Sequence, residues 1–116
     1  MGEYKQMFIN GEWVTAESGE SIQITNPATG ETVGTVTFGD GRDANKAIDA
    51  AHQAFASWSR LTARERAKYL YNLSELVKNN RDELAGIISA EMGKPLGEAK
   101  GEVLGAADNF VWYAEE

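Results

Sequence analysis

The chain has 116 residues, a formal charge of -7 and no cysteine; this length fits one small domain, or a piece of a larger one, and is short for an enzyme with separate cofactor and substrate sites. The acidic excess leaves nothing to neutralise phosphates, which argues against nucleic acid or an anionic membrane surface as partner. The lack of cysteine excludes disulfides, thiolate zinc sites and a cysteine nucleophile, and His52 alone cannot build an all-histidine metal centre.

The first predicted element is a β-hairpin. Met7-Phe8-Ile9 and Glu12-Trp13-Val14 flank Asn10-Gly11, the dipeptide that most readily takes the positive φ values of a two-residue turn. Ile22 and Ile24 then alternate with Gln23 and Thr25, and Val36 and Phe38 with Thr35 and Thr37. These read as two half-buried strands joined by a turn in Asn26 to Glu31.

From Asp40 the period becomes helical. Ala47, Ala51, Ala54, Phe55 and Trp58 share one face, with Asp40 as N-cap and Asp43 in the first turn. Thr62 and Glu65 have capping-box spacing, and Ala67, Leu70, Leu73 and Val77 form the stripe behind them. Asn79-Asn80 is a candidate break; Leu84, Ile87 and Ile88 carry an apolar face to Glu91, where Gly93 and Pro95 give a stop. A last helix runs from Leu96, with Val103, Ala107, Phe110 and Ala114 on one side. The expected fold class is α+β, N-terminal antiparallel β-hairpins over about 7–38 followed by three or four helices over about 41–115, with no βαβ unit. The aromatic end at Phe110, Trp112 and Tyr113 carries no helix-ending signal and reads as a cut. No apolar run approaches the roughly 18 residues of a membrane span, and residues 1–6 are polar, so the expectation is a soluble, cytoplasmic chain.

Several motifs suggest chemistry and have simpler explanations. Gly39-Asp40-Gly41-Arg42-Asp43-Ala44 matches a relaxed dinucleotide pattern between a strand and a helix, but a capped helix follows it where a second parallel strand is needed, and two carboxylates would repel pyrophosphate. A turn with a helix cap is the expectation. Gly93-Lys94 resembles the end of a P-loop, yet Gly86 lies seven residues before Gly93 and Pro95 replaces the magnesium-binding hydroxyl; Lys94 is expected at the last helical carbonyls. The tryptophans are expected in the core, Glu98 and Glu102 on a solvated face, and His52 without a catalytic partner.

Five segments go further. Phe8 to Trp13, Asn26 to Glu31, Ala47 to Trp58, Glu91 to Pro95 and Asp108 to Ala114 together make the whole chain resemble the N-terminal portion of an NAD(P)-dependent aldehyde dehydrogenase, nearest in tone to the bacterial succinate-semialdehyde dehydrogenases. The resemblance implies a parent of roughly four times this length, with cofactor, catalytic and oligomerisation regions elsewhere. In that family a cysteine thiolate attacks the aldehyde, hydride passes to NAD or NADP, and a glutamate helps water release the acid.

No catalytic or cofactor-binding residue carries over, because the cysteine, the glutamate motif and the glycine-rich cofactor segment are absent. The resemblance implies main-chain oxygens at Ile24 or Thr25, together with Glu91, as ligands of a structural monovalent cation, and Gly101, Gly105 and Asp108 as a border of the substrate entrance. Its implied partners are the remainder of the dehydrogenase chain, the aldehyde substrate of the parent, and further copies of the parent in a homo-oligomer. The alternative is a free-standing binding or assembly module derived from that region, without catalysis.

Overall fold

The computed structural model describes residues 3–116. The chain divides into two compact units, one ending at Trp58 and one spanning Ser59–Glu116.

The first unit contains β1 (Glu3–Lys5), β2 (Met7–Ile9), β3 (Glu12–Val14), β4 (Ser21–Thr25), β5 (Thr32–Thr37) and α1 (Gly41–Trp58). Asn10 at φ 54° and Gly11 at φ 78° turn the β2–β3 hairpin, as their tolerance of the left-handed region requires. That turn sets Phe8 opposite Trp13, with ring centroids 5.0 Å apart. The second hairpin, β4 and β5, is closed by a network in which Asn26 N–H donates to the Glu31 carbonyl and the Asn26 side chain accepts from Ala28 N–H, with Gly30 at φ 78°.

Both antiparallel hairpins agree with the sequence reading, but the sheet holds one more strand. β1 pairs in parallel with β5, giving the order β1-β5-β4. Three residues are too few to display a period, so Glu3–Lys5 offers no alternation to read; Thr37 Oγ1 also donates to the Lys5 carbonyl at 3.2 Å.

The start of α1 is fastened by carboxylates. Asp40 Oδ1 accepts from Arg42 N–H at 2.8 Å, while Asp43 Oδ2 accepts from Asp40 N–H at 2.9 Å, which satisfies donors that the helix leaves free. The other Asp43 oxygen accepts from Glu17 N–H at 3.0 Å, so this buried side chain also holds the loop before β4. Gly39 lies close to it: a Cβ there would come 2.8 Å from Met7 Sδ.

The expected apolar face of α1 is not a core. Ala47, Ala51, Ala54, Phe55 and Trp58 are all exposed. Alanine is short, and where β2 meets α1 the residues Ile9, Asn10 and Gly11 leave an open groove against Ala47, Ala50, Ala51 and Ala54.

The second unit is three helices, α2 (Ala63–Asn79), α3 (Arg81–Met92) and α4 (Leu96–Glu115), with α4 packed on both others. The capping box forms in full: Glu65 N–H donates to Thr62 Oγ1, and the Glu65 carboxylate accepts from Thr62 N–H at 2.8 Å and from its hydroxyl at 2.9 Å. Asn80 separates α2 from α3, and Gly93, at φ 73° and donating to the Ser89 carbonyl, ends α3. Val103 and Ala107 are buried on α4 as the spacing predicts, with Ala99. On α2 the stripe is shifted by one residue: Ser74 is buried and Leu73 is 39% exposed. The helical screw makes Ala67, Leu70, Ser74 and Val77 one line, whereas Leu73 falls beside it.

Two outcomes test this packing. The Ser74 hydroxyl is buried without a hydrogen-bond partner among the described residues, so Ser74→Ala is expected to be neutral or to stabilise by up to about 1 kcal/mol in urea unfolding; a loss of that size would contradict the assignment. The Thr62 N–H, and then its hydroxyl, hold the Glu65 carboxyl below the ordinary carboxylate value. A depressed folded pKa gives stabilisation that is present above the unfolded value and lost as pH falls through the folded one. Circular dichroism should therefore show α2 fraying on acidification through the carboxylate range, with less of that fraying in Glu65→Gln; an unchanged acid response in the variant would count against the box.

Candidate functional site

α4 presents two opposite faces. Ala99, Val103 and Ala107 point into the helical unit, and the helical screw places Gly101, Gly105 and Asp108 together on the far side. All three are exposed. A Cβ added at Gly101 or Gly105 would meet nothing within 4 Å, so the lack of side chains there is not demanded by packing within the chain. Trp112, 64% exposed, continues the same face.

Ile24 and Thr25 end β4, immediately before the Asn26 turn, and the β4–β5 register shifts between these two residues. Such an irregularity takes main-chain groups out of the ladder, which suits main-chain oxygens recruited as ligands. Glu91 is exposed in the last turn of α3, where unpaired carbonyls give partial negative charge and oxygen donors. Hard cations favour oxygen ligands, so both donor sets have the right chemistry. Ile24 and Thr25 belong to the first unit and Glu91 to the second. Among the described residues no group of three His, Cys, Asp or Glu side chains is arranged to hold a metal.

The Gly39–Ala44 segment does not fit a dinucleotide. Asp40 Oδ1 already takes the Arg42 N–H, and the Asp40 and Asp43 carboxylates stand where pyrophosphate charge would have to sit. Arg42 is engaged with Asp40 at 2.8 Å, and that pairing lowers the Asp40 pKa and raises the Arg42 pKa.

Several other charged groups form surface pairs. Lys94, expected at helical carbonyls, instead meets Glu102, because α4 starts two residues later and brings a carboxylate within reach. Lys100 and Arg81 both pair with Asp82, at 3.1 Å and 3.3 Å, and hold its carboxyl below the ordinary value. Asp43 is a structural anchor that sequence reasoning underestimates, accepting the Glu17 and Asp40 N–H groups; Asp40 and Asp43 have the spacing of a capping box, which was the available signal. The expectation of core tryptophans fails within this chain: Trp13 is 66% and Trp58 39% exposed.

The aldehyde dehydrogenase family model matches residues 13–116. Glutarate-semialdehyde dehydrogenase of Pseudomonas putida is 47% identical over 97% of this chain and 23% of its own length. The NADP(+) succinate-semialdehyde dehydrogenase of Escherichia coli is 46% identical with the same coverage. Among solved structures, an NAD-dependent aldehyde dehydrogenase from Sinorhizobium meliloti superposes with a TM-score of 0.93 at 35% identity, covering 99% of this chain and 24% of that one. Succinate-semialdehyde dehydrogenase from Burkholderia pseudomallei gives 0.92 at 45% identity, covering 96% and 23%. The chain thus spans about a quarter of the length of the relatives it matches. With its hairpins, its four helices and the turn and stop segments in family order, the chain belongs to the aldehyde dehydrogenase family and corresponds to an N-terminal portion of such an enzyme.

Proposed function

We propose that this chain is the non-catalytic N-terminal segment of an NAD(P)-dependent aldehyde dehydrogenase that oxidises an aldehyde to a carboxylic acid, with succinate semialdehyde as the substrate of first choice. Its work in the longer enzyme is packing: it covers the cofactor-binding region and supplies one wall of the substrate entrance. One observation carries this reading. Among the described residues the buried apolar ones are Ala16, Ala85, Ala99, Val103 and Ala107, while Ile48, Phe55, Leu76, Trp112 and Tyr113 are each at least 60% exposed. Large apolar side chains left outside, with alanine inside, form surfaces made to be covered. A free-standing module would be expected to bury its aromatics.

The semialdehyde preference rests on relatives named for succinate and glutarate semialdehydes, and the cofactor on relatives named for NAD or NADP(+). Within the segment, Gly101, Gly105 and Asp108 border the substrate path, where absent side chains keep it wide. Main-chain oxygens at Ile24 or Thr25 and the Glu91 carboxylate hold a structural monovalent cation. The enzyme as a whole is read as a cytoplasmic homo-oligomer. The thiolate, the glutamate that activates water and the dinucleotide cradle are supplied by chain beyond these 116 residues, since no cysteine lies within them.

Three outcomes test this. The 116-residue chain alone should give no aldehyde-dependent rise in reduced-nicotinamide absorbance with either cofactor; any turnover with succinate semialdehyde would refute a purely packing role. The same chain should bind a hydrophobic dye and self-associate, and a monomeric elution profile without dye signal would contradict the exposed-face argument. In the longer enzyme, Gly101→Leu or Gly105→Leu should raise KM for the aldehyde with little change in KM for the cofactor; unaltered aldehyde kinetics would remove these glycines from the entrance.

A further inference from the structure

The β2–β3 turn carries chemistry independent of the dehydrogenase reading. We propose that Asn10-Gly11 is a spontaneous modification site, at which Asn10 loses its amide as ammonia through a succinimide and the isoaspartate product opens the hairpin. The reaction needs a main-chain N–H next to an asparagine carboxamide, with neither group held and no side chain obstructing approach. Asn10 and Gly11 are both exposed. The ladder pairing belongs to the flanking residues Ile9 and Glu12, which leaves the Gly11 N–H outside it, and the Asn10 carboxamide has no partner among the described residues. Gly11 offers the least obstructed nucleophile of any residue type.

The other asparagines lack one condition or another. Asn26 precedes Pro27, which has no N–H, and its Oδ1 is already bonded to Ala28 N–H at 2.9 Å. Asn80 donates its amide to the Leu76 carbonyl at 2.8 Å and is followed by an arginine. The N–H after Asn79 is bonded to the Leu76 carbonyl at 3.1 Å. Asn45, Asn72 and Asn109 lie inside α1, α2 and α4, where the following N–H is committed to the helix ladder.

The step balances without an oxidant or reductant. Hydroxide removes the Gly11 amide proton, the nitrogen bonds to Asn10 Cγ, and water protonates Nδ2, which the tetrahedral intermediate expels as ammonia, closing a five-membered imide and regenerating hydroxide. Water then adds to either imide carbonyl, giving aspartate or isoaspartate; the net change is water gained and ammonia lost. Aspartate tolerates the left-handed conformation seen at φ 54°. Isoaspartate lengthens the main chain by one carbon inside a two-residue turn, so the pairing of Phe8 with Trp13 cannot keep its register.

The test uses the intact 116-residue chain, aged at mildly alkaline pH and body temperature, with peptide mapping by mass spectrometry and chromatographic separation of isoaspartate. Amide loss is expected first at Asn10, with isoaspartate present, and is expected to disappear in Gly11→Ala. In a Trp58→Phe, Trp112→Phe background, the near-ultraviolet dichroism of Trp13 should fall with age, whereas Asn10→Asp, which adds the charge without lengthening the chain, should keep it. Loss first at another asparagine, or none at Asn10, overturns the proposal. Isoaspartate at position 10 with an unchanged Trp13 signal overturns the opening of the hairpin.

Discussion

Close approach of helix backbones through alanine is the constraint on which the second unit depends. Ala85, Ala99 and Ala107 have no exposed surface, and Val103 has 4%. Helices meeting through such small side chains pack at the short end of the usual interaxial range, and the larger Val77, Leu84 and Ile88 are only partly buried against this contact. Larger apolar residues on the same helices must then stand on the flanks or the outer faces. Leu76, Ile87, Leu96 and Trp112 do so, each at least 45% exposed. Trp112 and Tyr113 near the end of α4 stand outside in the same way, since the inward face is already filled.

With so little large apolar burial, element ends carry much of the definition. The Thr62–Glu65 box fixes where α2 begins, Gly93 fixes where α3 ends, and Asp40 with Asp43 fixes the start of α1 while tying in the loop at Glu17. These bonds satisfy main-chain groups that would otherwise depend on water. Asp43 is notable because it is buried and charged, yet both oxygens accept main-chain N–H groups, the condition under which a buried carboxylate is tolerated.

Local chemistry is what the sequence made legible. Asn10-Gly11, the capping box, the Asn80 break and the Gly93 stop each depend on residues adjacent in the chain, and all four appear where the pattern places them. Non-local choices were not legible. The parallel pairing of Glu3–Lys5 with β5 joins residues about thirty apart in the chain, and nothing in a three-residue strand announces its partner. The line on α2 chooses Ser74 over Leu73 because helix geometry outranks hydrophobicity at one position. On α1, periodicity put Ala47, Ala51, Ala54, Phe55 and Trp58 on one face, yet all five are exposed, because a period alone does not say whether a face is buried. For the candidate site, both sets of residues came from family resemblance and not from spacing: Gly101, Gly105 and Asp108 lie on one exposed face of α4, whereas Ile24 and Thr25 fall in a different unit from Glu91.

The chain belongs to the aldehyde dehydrogenase family, and the packing role proposed above would account for its inverted apolar distribution. The segment matches about a quarter of its relatives' length and carries small side chains inside and aromatics outside, the distribution that the proposed packing role requires. Side-chain oxidative footprinting examines that claim residue by residue, in the chain alone and within the longer enzyme. Trp13, Phe55 and Trp112 should be labelled strongly in the first and protected in the second. Equal labelling in both would contradict it, and would mean that these aromatics face solvent in the working protein.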